Sequence, residues 1–258
     1  MNRCDSCGLV FATPLWTSAE ADTVFANYRG WPEGISGGVS DRSAGMAQIA
    51  RQIHIHWRDQ ATSTPGLLDI GCADGEFFRV MAATQDGFQF SGVEPDPKWQ
   101  HHDYGNARVY PVTLRQCQFP DAHFDVVTIL DAFCYFPDPK AHVEEIMRIL
   151  KPGGLFVFDI PGQHYLRLRG LVGSWFRLGR TQTFAAYPYY YAHPSVLALL
   201  AGTPHQIKAI VVDRGTVQDH PWLKAGLQGY TGIIKRGADQ FASLREFAPK
   251  LIYLIRKV

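Results

Sequence analysis

An acid and three small residues alternate in Asp69-Ile70-Gly71-Cys72-Ala73-Asp74-Gly75, directly after the apolar pair Leu67-Leu68. Small residues at every second position make a tight turn whose backbone can approach a ligand closely. A second acid, Glu94, ends the stretch Gly87-Phe88-Gln89-Phe90-Ser91-Gly92-Val93 and is followed by Pro95. An ionised carboxylate only accepts hydrogen bonds, so one placed there can take both hydroxyl hydrogens of a ribose. The chemistry this implies is nucleoside binding, with backbone against the ligand and Glu94 on the sugar. The spelling is not that of a dinucleotide turn, G-x-G-x-x-G, and the Lys-Ser/Thr ending of a phosphate loop is missing.

These residues need a particular set of elements to hold them. The apolar run before the turn reads as a buried parallel strand and Glu76–Ala83 as the helix after it. The stretch ending at Val93 is a second strand. Lys98–Tyr104 reads as a short helix and Ala107–Val112 as a third strand. Phe124–Leu130 is a fourth, followed by Pro137-Asp138-Pro139 and a helix over about Lys140–Leu150. Lys151-Pro152-Gly153-Gly154 should end that helix and turn the chain into a fifth strand reaching Ile160. Strands alternating with helices predict an α/β fold, a parallel sheet covered on both faces.

In order along the chain, Asp69-x-Gly71-x-Ala73-x-Gly75, Glu94, Phe124-Asp125-Val126-Val127, Phe136-Pro137-Asp138-Pro139 and Leu150-Lys151-Pro152-Gly153-Gly154-Leu155-Phe156-Val157-Phe158-Asp159 resemble the motifs of class I S-adenosylmethionine-dependent methyltransferases, in the branch that acts on small molecules and glycans. That family usually has Gly where Ala73 stands. The resemblance implies a doubly wound, seven-stranded, mostly parallel Rossmann-like sheet. It implies S-adenosylmethionine as cofactor, held by Asp69, Gly71, Cys72, Ala73, Gly75, Glu94, Pro95 and Leu130. Thr113 and Leu114 fall where the family contacts adenine; its usual acid is absent there, which leaves backbone groups or Gln116. A Tyr from a helical N-terminal segment lies over the methionine end in related enzymes, a role that passes to Tyr28. The family closes its sheet with an antiparallel pair, matched here by Ile207–Asp213 and Leu251–Val258. The link between them, about 214–249, is longer than usual and reads as a small cap insertion with an amphipathic helix at Ala238–Phe247. It suits acceptor binding or a second copy in a homodimer.

Residues 1–65 form an N-terminal segment and 66–258 the cofactor-binding domain. Cys4-x-x-Cys7 is a knuckle-like motif that resembles the second half of a zinc ribbon. A structural zinc needs four ligands, usually two such knuckles, so no metal is expected and a β-hairpin is the plainer reading. Ser18-Ala19-Glu20 can cap a helix running to about Gly30, and Trp31–Gly38 is a breaker-rich loop suited to closing over a site.

The acceptor side is harder to read, because aligning an acceptor with an activated methyl requires no fixed signature. Asp131 and Tyr135 follow the fourth strand. Asp131 could be a base or touch the cofactor. Tyr135 could position a hydroxyl, but a phenol titrating near 10 is a poor base. Relatives often carry Glu-His at Cys134 and Tyr135, and that pair is lost; Cys134 reads as a buried thiol. His164, after the fifth strand, is a candidate base, with His193 its rival; the other histidines read as structural (His54, His56) or surface (His101, His102, His123, His142). Tyr187–Tyr191 lead into a helix at Ser195–Leu200 and could line an acceptor site or pack the core. Arg167, Arg169, Arg177 and Arg180 could grip an anionic acceptor. The alternative to an enzyme is a binding or regulatory protein that has kept the fold and lost the activity.

Composition sets the outer bounds. A net charge of +1 over 258 residues offers no field for nucleic acid or an anionic membrane. No run reaches the length of a membrane span. Five cysteines, an odd number without an apolar leader, argue against a disulfide framework and for a soluble, cytoplasmic protein. The expected partner is a small-molecule acceptor.

Overall fold

The computed structural model describes residues 1–17, 19–20, 23, 39–57, 64–85, 87–168, 188–213, 221–240 and 242–258. Tyr28, the 31–38 loop, Trp175, Phe176, Arg169, Arg177 and Arg180 lie outside the described residues, as does most of the helix expected up to Gly30.

A hairpin of β1 (Asn2–Arg3) and β2 (Val10–Phe11) opens the chain, and α1 (Val39–Trp57) follows. The sheet then begins. β3 (Gly66–Ile70) leads to α2 (Glu76–Thr84), β4 (Gln89–Val93), β5 (Arg108–Tyr110) and the short α3 (Leu114–Cys117). β6 (Phe124–Ile129), α4 (Pro139–Ile149) and β7 (Leu150–Ile160) come next. Residues 163–168 form a helical stretch, α5. β8 (Tyr189–Tyr190), α6 (His193–Leu200), β9 (His205–Asp213), α7 (Pro221–Gln240) and β10 (Lys250–Lys257) complete the order.

Seven strands make the main sheet in the order β5-β4-β3-β6-β7-β10-β9. The first five pair in parallel, while β10 runs antiparallel to both β7 and β9. The expected doubly wound, mostly parallel fold with a closing antiparallel pair is what the chain adopts. Its strands β3 and β6 are largely apolar because both faces are covered. On one face Met46, Ile49, Ile53 and Trp57 of α1 and Phe77, Phe78 and Met81 of α2 pack against Leu67, Val126, Val157 and Leu254. On the other, Val143, Ile146 and Met147 of α4 and Val196 and Leu200 of α6 pack against Leu68, Val127, Phe156 and Tyr253.

Several local expectations need correction. The helix at Lys98–Tyr104 is only a 3-10 turn over Pro97–Trp99, capped by Asp96, whose side chain accepts from the Lys98 N–H at 2.9 Å. The third strand is cut to Arg108–Tyr110. Lys151-Pro152-Gly153-Gly154 does not precede β7 but bulges within it: Leu150 already pairs with Phe124, and pairing resumes at Leu155 with Val126. Pro152 has no N–H for the ladder and Gly153 has φ +78, so the run is looped out. The insertion helix lies earlier than expected, at Pro221–Gln240, with a 3-10 segment at Ala242–Phe247 where the amphipathic helix was placed. His142 is not a surface residue: it is buried in α4, with Nδ1 2.7 Å from the Asp138 carbonyl.

The N-terminal hairpin is stitched to the rest. β2 pairs with β8 in a separate three-stranded sheet. Gln163 Nε2 donates to the carbonyls of Gly8 (3.1 Å) and Tyr190 (3.2 Å), and Ser195 Oγ donates to the carbonyl of Cys7 (2.9 Å). No helix among the described residues is long and apolar enough to cross a membrane.

Candidate active site

The turn after β3 is built by backbone conformations that side chains resist. Gly71 has φ +78, Ala73 +45 and Gly75 +68. The Gly71 N–H donates to the Val93 carbonyl at 2.7 Å, which ties the turn to the end of β4. Gly92 has to be glycine: a Cβ there would stand 2.5 Å from Cys72 Sγ. Cys72 is therefore packing under the turn, and burial raises its thiol pKa. Asp69 is buried and accepts the Thr128 hydroxyl at 2.6 Å, bracing the base of the turn against β6.

Glu94 is joined to the same turn. Its Oε2 accepts the Ala73 N–H and its Oε1 the Asp96 N–H, both at 2.9 Å. Burial raises its pKa, opposed by these two N–H bonds. A carboxylate offers about four lone-pair sites, so two backbone donors orient it and leave it able to accept ribose hydroxyls. Tyr104, which the sequence reading passed over, completes the cradle: its hydroxyl donates to the Ala73 carbonyl at 2.7 Å and its ring fills the space behind Gly75. A tyrosine ten residues past an acid carries no signal of that role by itself.

Thr113 caps α3, with its N–H (2.9 Å) and hydroxyl (3.0 Å) both donating to Gln116 Oε1. The carbonyl oxygen of Gln116 is thus engaged in capping. Leu114 and Leu130 are buried, and Pro95 is half-buried after β4.

On the other side of the sheet's carboxyl edge, Asp131 takes a left-handed conformation (φ +57) immediately past β6 and Leu130. Its N–H donates to Asp159 Oδ1 at 2.7 Å. Lys250 Nζ donates to Asp131 Oδ1 at 2.5 Å and to Asp159 Oδ2 at 2.9 Å. The side chains differ in exposure: 50% for Asp131, 14% for Lys250 and 2% for Asp159. Burial pushes the Asp159 carboxyl up to about 6, against the pull of Lys250. Burial also disfavours the Lys250 ammonium, but Asp131 and Asp159 outweigh it and hold its pKa above the ordinary value. Lys250 and Asp159 were not candidates from sequence; Lys250 stands 119 positions from Asp131.

Tyr135 is half-buried in a 3-10 turn, Phe133–Tyr135, and Cys134 beside it is buried. His164 lies in the first turn of α5 rather than in a loop, edge-on to Phe247 with ring centroids 4.9 Å apart. Its Nδ1 is buried with no hydrogen-bond partner among the described residues, and burial, Arg167 and Arg3 lower its pKa. His193, the rival base, is committed to structure: its Nδ1 lies 3.2 Å from the Tyr253 hydroxyl and its N–H donates to Glu246. The tyrosines at 189–191 are buried: Tyr191 packs on Phe133 and Tyr189, and Tyr190 on Val10 and Leu166. In the hairpin, Cys4 is lowered to about 7 by the Ser6 hydroxyl and nearby N–H groups. Among the described residues no three His, Cys, Asp or Glu converge on a metal position.

Turn, acid and rim lie at the carboxyl edge of a doubly wound sheet. The chain belongs to the methyltransferase domain family, whose profile matches residues 47–197. It is 30% identical over 134 residues to an uncharacterized methyltransferase of Mycobacterium sp. (strain KMS), covering 50% of each chain. It is 32% identical over 110 residues to the 2-methyl-6-phytyl-1,4-hydroquinone methyltransferase of Synechocystis sp. (strain ATCC 27184 / PCC 6803 / Kazusa), covering 39% of this chain and 34% of that one. The chain thus spans about half, or less, of the length of these curated relatives. The fold matches that of geranyl diphosphate C-methyltransferase from Streptomyces coelicolor A3(2), solved with S-adenosyl-L-homocysteine, with TM-score 0.57, 15% identity and 96% and 100% of the two chains covered.

Proposed function

We propose that this protein transfers a methyl group from S-adenosylmethionine to a small-molecule acceptor. The observation that carries the proposal is the coupled cradle of Gly71–Gly75 and Glu94, in which a positive-φ turn and a half-buried, oriented carboxylate sit at the carboxyl ends of neighbouring strands. Gly71, Ala73 and Gly75 would present backbone to the cofactor, Glu94 would accept the ribose hydroxyls, and Thr113 and Leu114 would offer backbone to the adenine. When bound, S-adenosylmethionine supplies an electrophilic methyl on a sulfonium with a neutral thioether as leaving group.

The chain's own task is then to hold an acceptor in line and take its proton. Asp131, half-exposed at the rim, is suited to accepting a hydrogen bond from the acceptor's hydroxyl or amine. His164, whose depressed pKa keeps the imidazole neutral at pH 7, is suited to receive the proton. Tyr135 would line the approach. Quinol and prenyl diphosphate methyltransferases among the similar proteins support a small-molecule acceptor.

The test is isothermal titration with S-adenosylhomocysteine. Wild type should bind, and Glu94→Ala should bind more weakly by about 1.5–3 kcal/mol, the worth of hydrogen bonds to a charged group. A folded wild type that binds neither S-adenosylhomocysteine nor S-adenosylmethionine would remove the proposal.

A further inference from the structure

We infer that Lys250 and Asp159 are positioning residues that fix the Asp131 carboxylate toward the acceptor, so that the site takes an acceptor presenting a hydrogen-bond donor, a hydroxyl or an amine. The inference rests on the methyltransferase reading and deepens it.

Two contacts fix Asp131, and a third ties their partners together. Asp159 takes its N–H at 2.7 Å, Lys250 binds its Oδ1 at 2.5 Å, and Lys250 in turn is held by Asp159 at 2.9 Å. Backbone and side chain of one residue are thereby fixed by a single buried pair. A pair meant only to join β7 and β10 would need Asp159 and Lys250 alone. A third, half-exposed carboxylate adds little to stability in water. Its conformation instead costs something, since φ +57 is uncommon for a residue with a side chain. What the arrangement achieves is a carboxylate with half its surface open at the sheet's carboxyl edge, unable to swing away. It stands beside the cradle: Ala132, the next residue, brings its Cβ to 3.1 Å of where a Gly71 Cβ would be. A carboxylate open at that edge favours a donor group and disfavours an anionic atom at the same point.

The experiment compares two ligands of the full chain, S-adenosylhomocysteine and sinefungin, which carries an amine where S-adenosylmethionine carries its methyl. A carboxylate facing that point strengthens sinefungin relative to S-adenosylhomocysteine. Calorimetry should show Asp131→Asn reducing that preference about tenfold, the scale of one charge-assisted hydrogen bond. Lys250→Met should reduce it severalfold, with S-adenosylhomocysteine affinity within about twofold of wild type, and Lys250→Arg should restore part of it. Should Lys250→Met fail to fold, the double variant Asp159→Asn/Lys250→Met leaves no buried charge unpaired and should show the same loss. If Asp131→Asn removes the preference and the Lys250 variants retain it fully, the positioning role is overturned while the placement of Asp131 stands. If Asp131→Asn leaves the preference unchanged, Asp131 does not face the acceptor and the inference falls. If wild type binds neither ligand, it is the methyltransferase reading that fails.

Discussion

The two halves of the site are built in opposite ways. The cradle comes from a short stretch of chain, with Gly71, Ala73, Gly75, Gly92 and Glu94 in consecutive strand–turn units joined by backbone hydrogen bonds. The rim at Asp131 is assembled from the ends of β6 and β7 and the start of β10, and is held by side-chain charges. Backbone-built sites tolerate change in side chains but not in glycines. Charge-built sites tolerate neither the loss of a single partner nor the reshaping of the segments that bring the partners together.

That contrast can be broken by mutation, beginning where the effect should be largest. Lys250→Met alone strands the buried Asp159 carboxylate and should cost about 3–5 kcal/mol in urea unfolding, whereas the Asp159→Asn/Lys250→Met double variant should cost far less. Equal losses in both would mean that packing, and not charge, holds the rim. Next comes a pair of glycines, one from each half. At Gly162 a Cβ would lie 2.1 Å from the Ala248 carbonyl oxygen, so Gly162→Ala sets backbone against backbone. It should cost about 3 kcal/mol while cofactor affinity persists. At Gly92 the obstacle is the Cys72 sulfur at 2.5 Å, which sits in the turn itself. Gly92→Ala should cost about 1–2 kcal/mol and also weaken S-adenosylhomocysteine. Reversal of that binding pattern would dissolve the distinction between the halves.

The smallest effect concerns acid. His164, with His56 and His193, has a folded pKa below 6.5, mainly through burial. The unfolded chain therefore binds protons first, and stability falls as pH drops through 6.5 towards the folded values, levelling off below them. His164→Phe should lessen the loss of Tm between about pH 7.5 and pH 5.5. An unchanged acid slope would show that His164 is hydrated, and weaken its claim to be a neutral base.

The contrast also explains what could be read from the chain. Alternating small residues and a strand-ending acid carry their own geometry, so β3, β4, the turn and Glu94 were legible directly. The antiparallel closure was recovered through resemblance. Lys250 was invisible because nothing local distinguishes a lysine at the start of an apolar strand; only the insertion of β10 beside β7 brings it to Asp159. Tyr104 was hidden inside an expected helix that proved to be a short turn. His142 looked solvent-facing until α4 was seen to bury it. Lys151–Gly154 was misplaced because Pro and Gly mark a break equally well whether it falls before a strand or within one.

The position of β10 has a consequence for how the molecule comes into being. β9 touches the main sheet only through β10, so during synthesis it waits without a partner while the insertion is made. The strands of the cradle already neighbour one another by then and can form early, since domains fold as units with the first-made parts leading. On the proposed function, the emerging polypeptide would complete its cofactor side before its acceptor side, and pulse-labelled hydrogen exchange should find β3 and β4 protected ahead of β9.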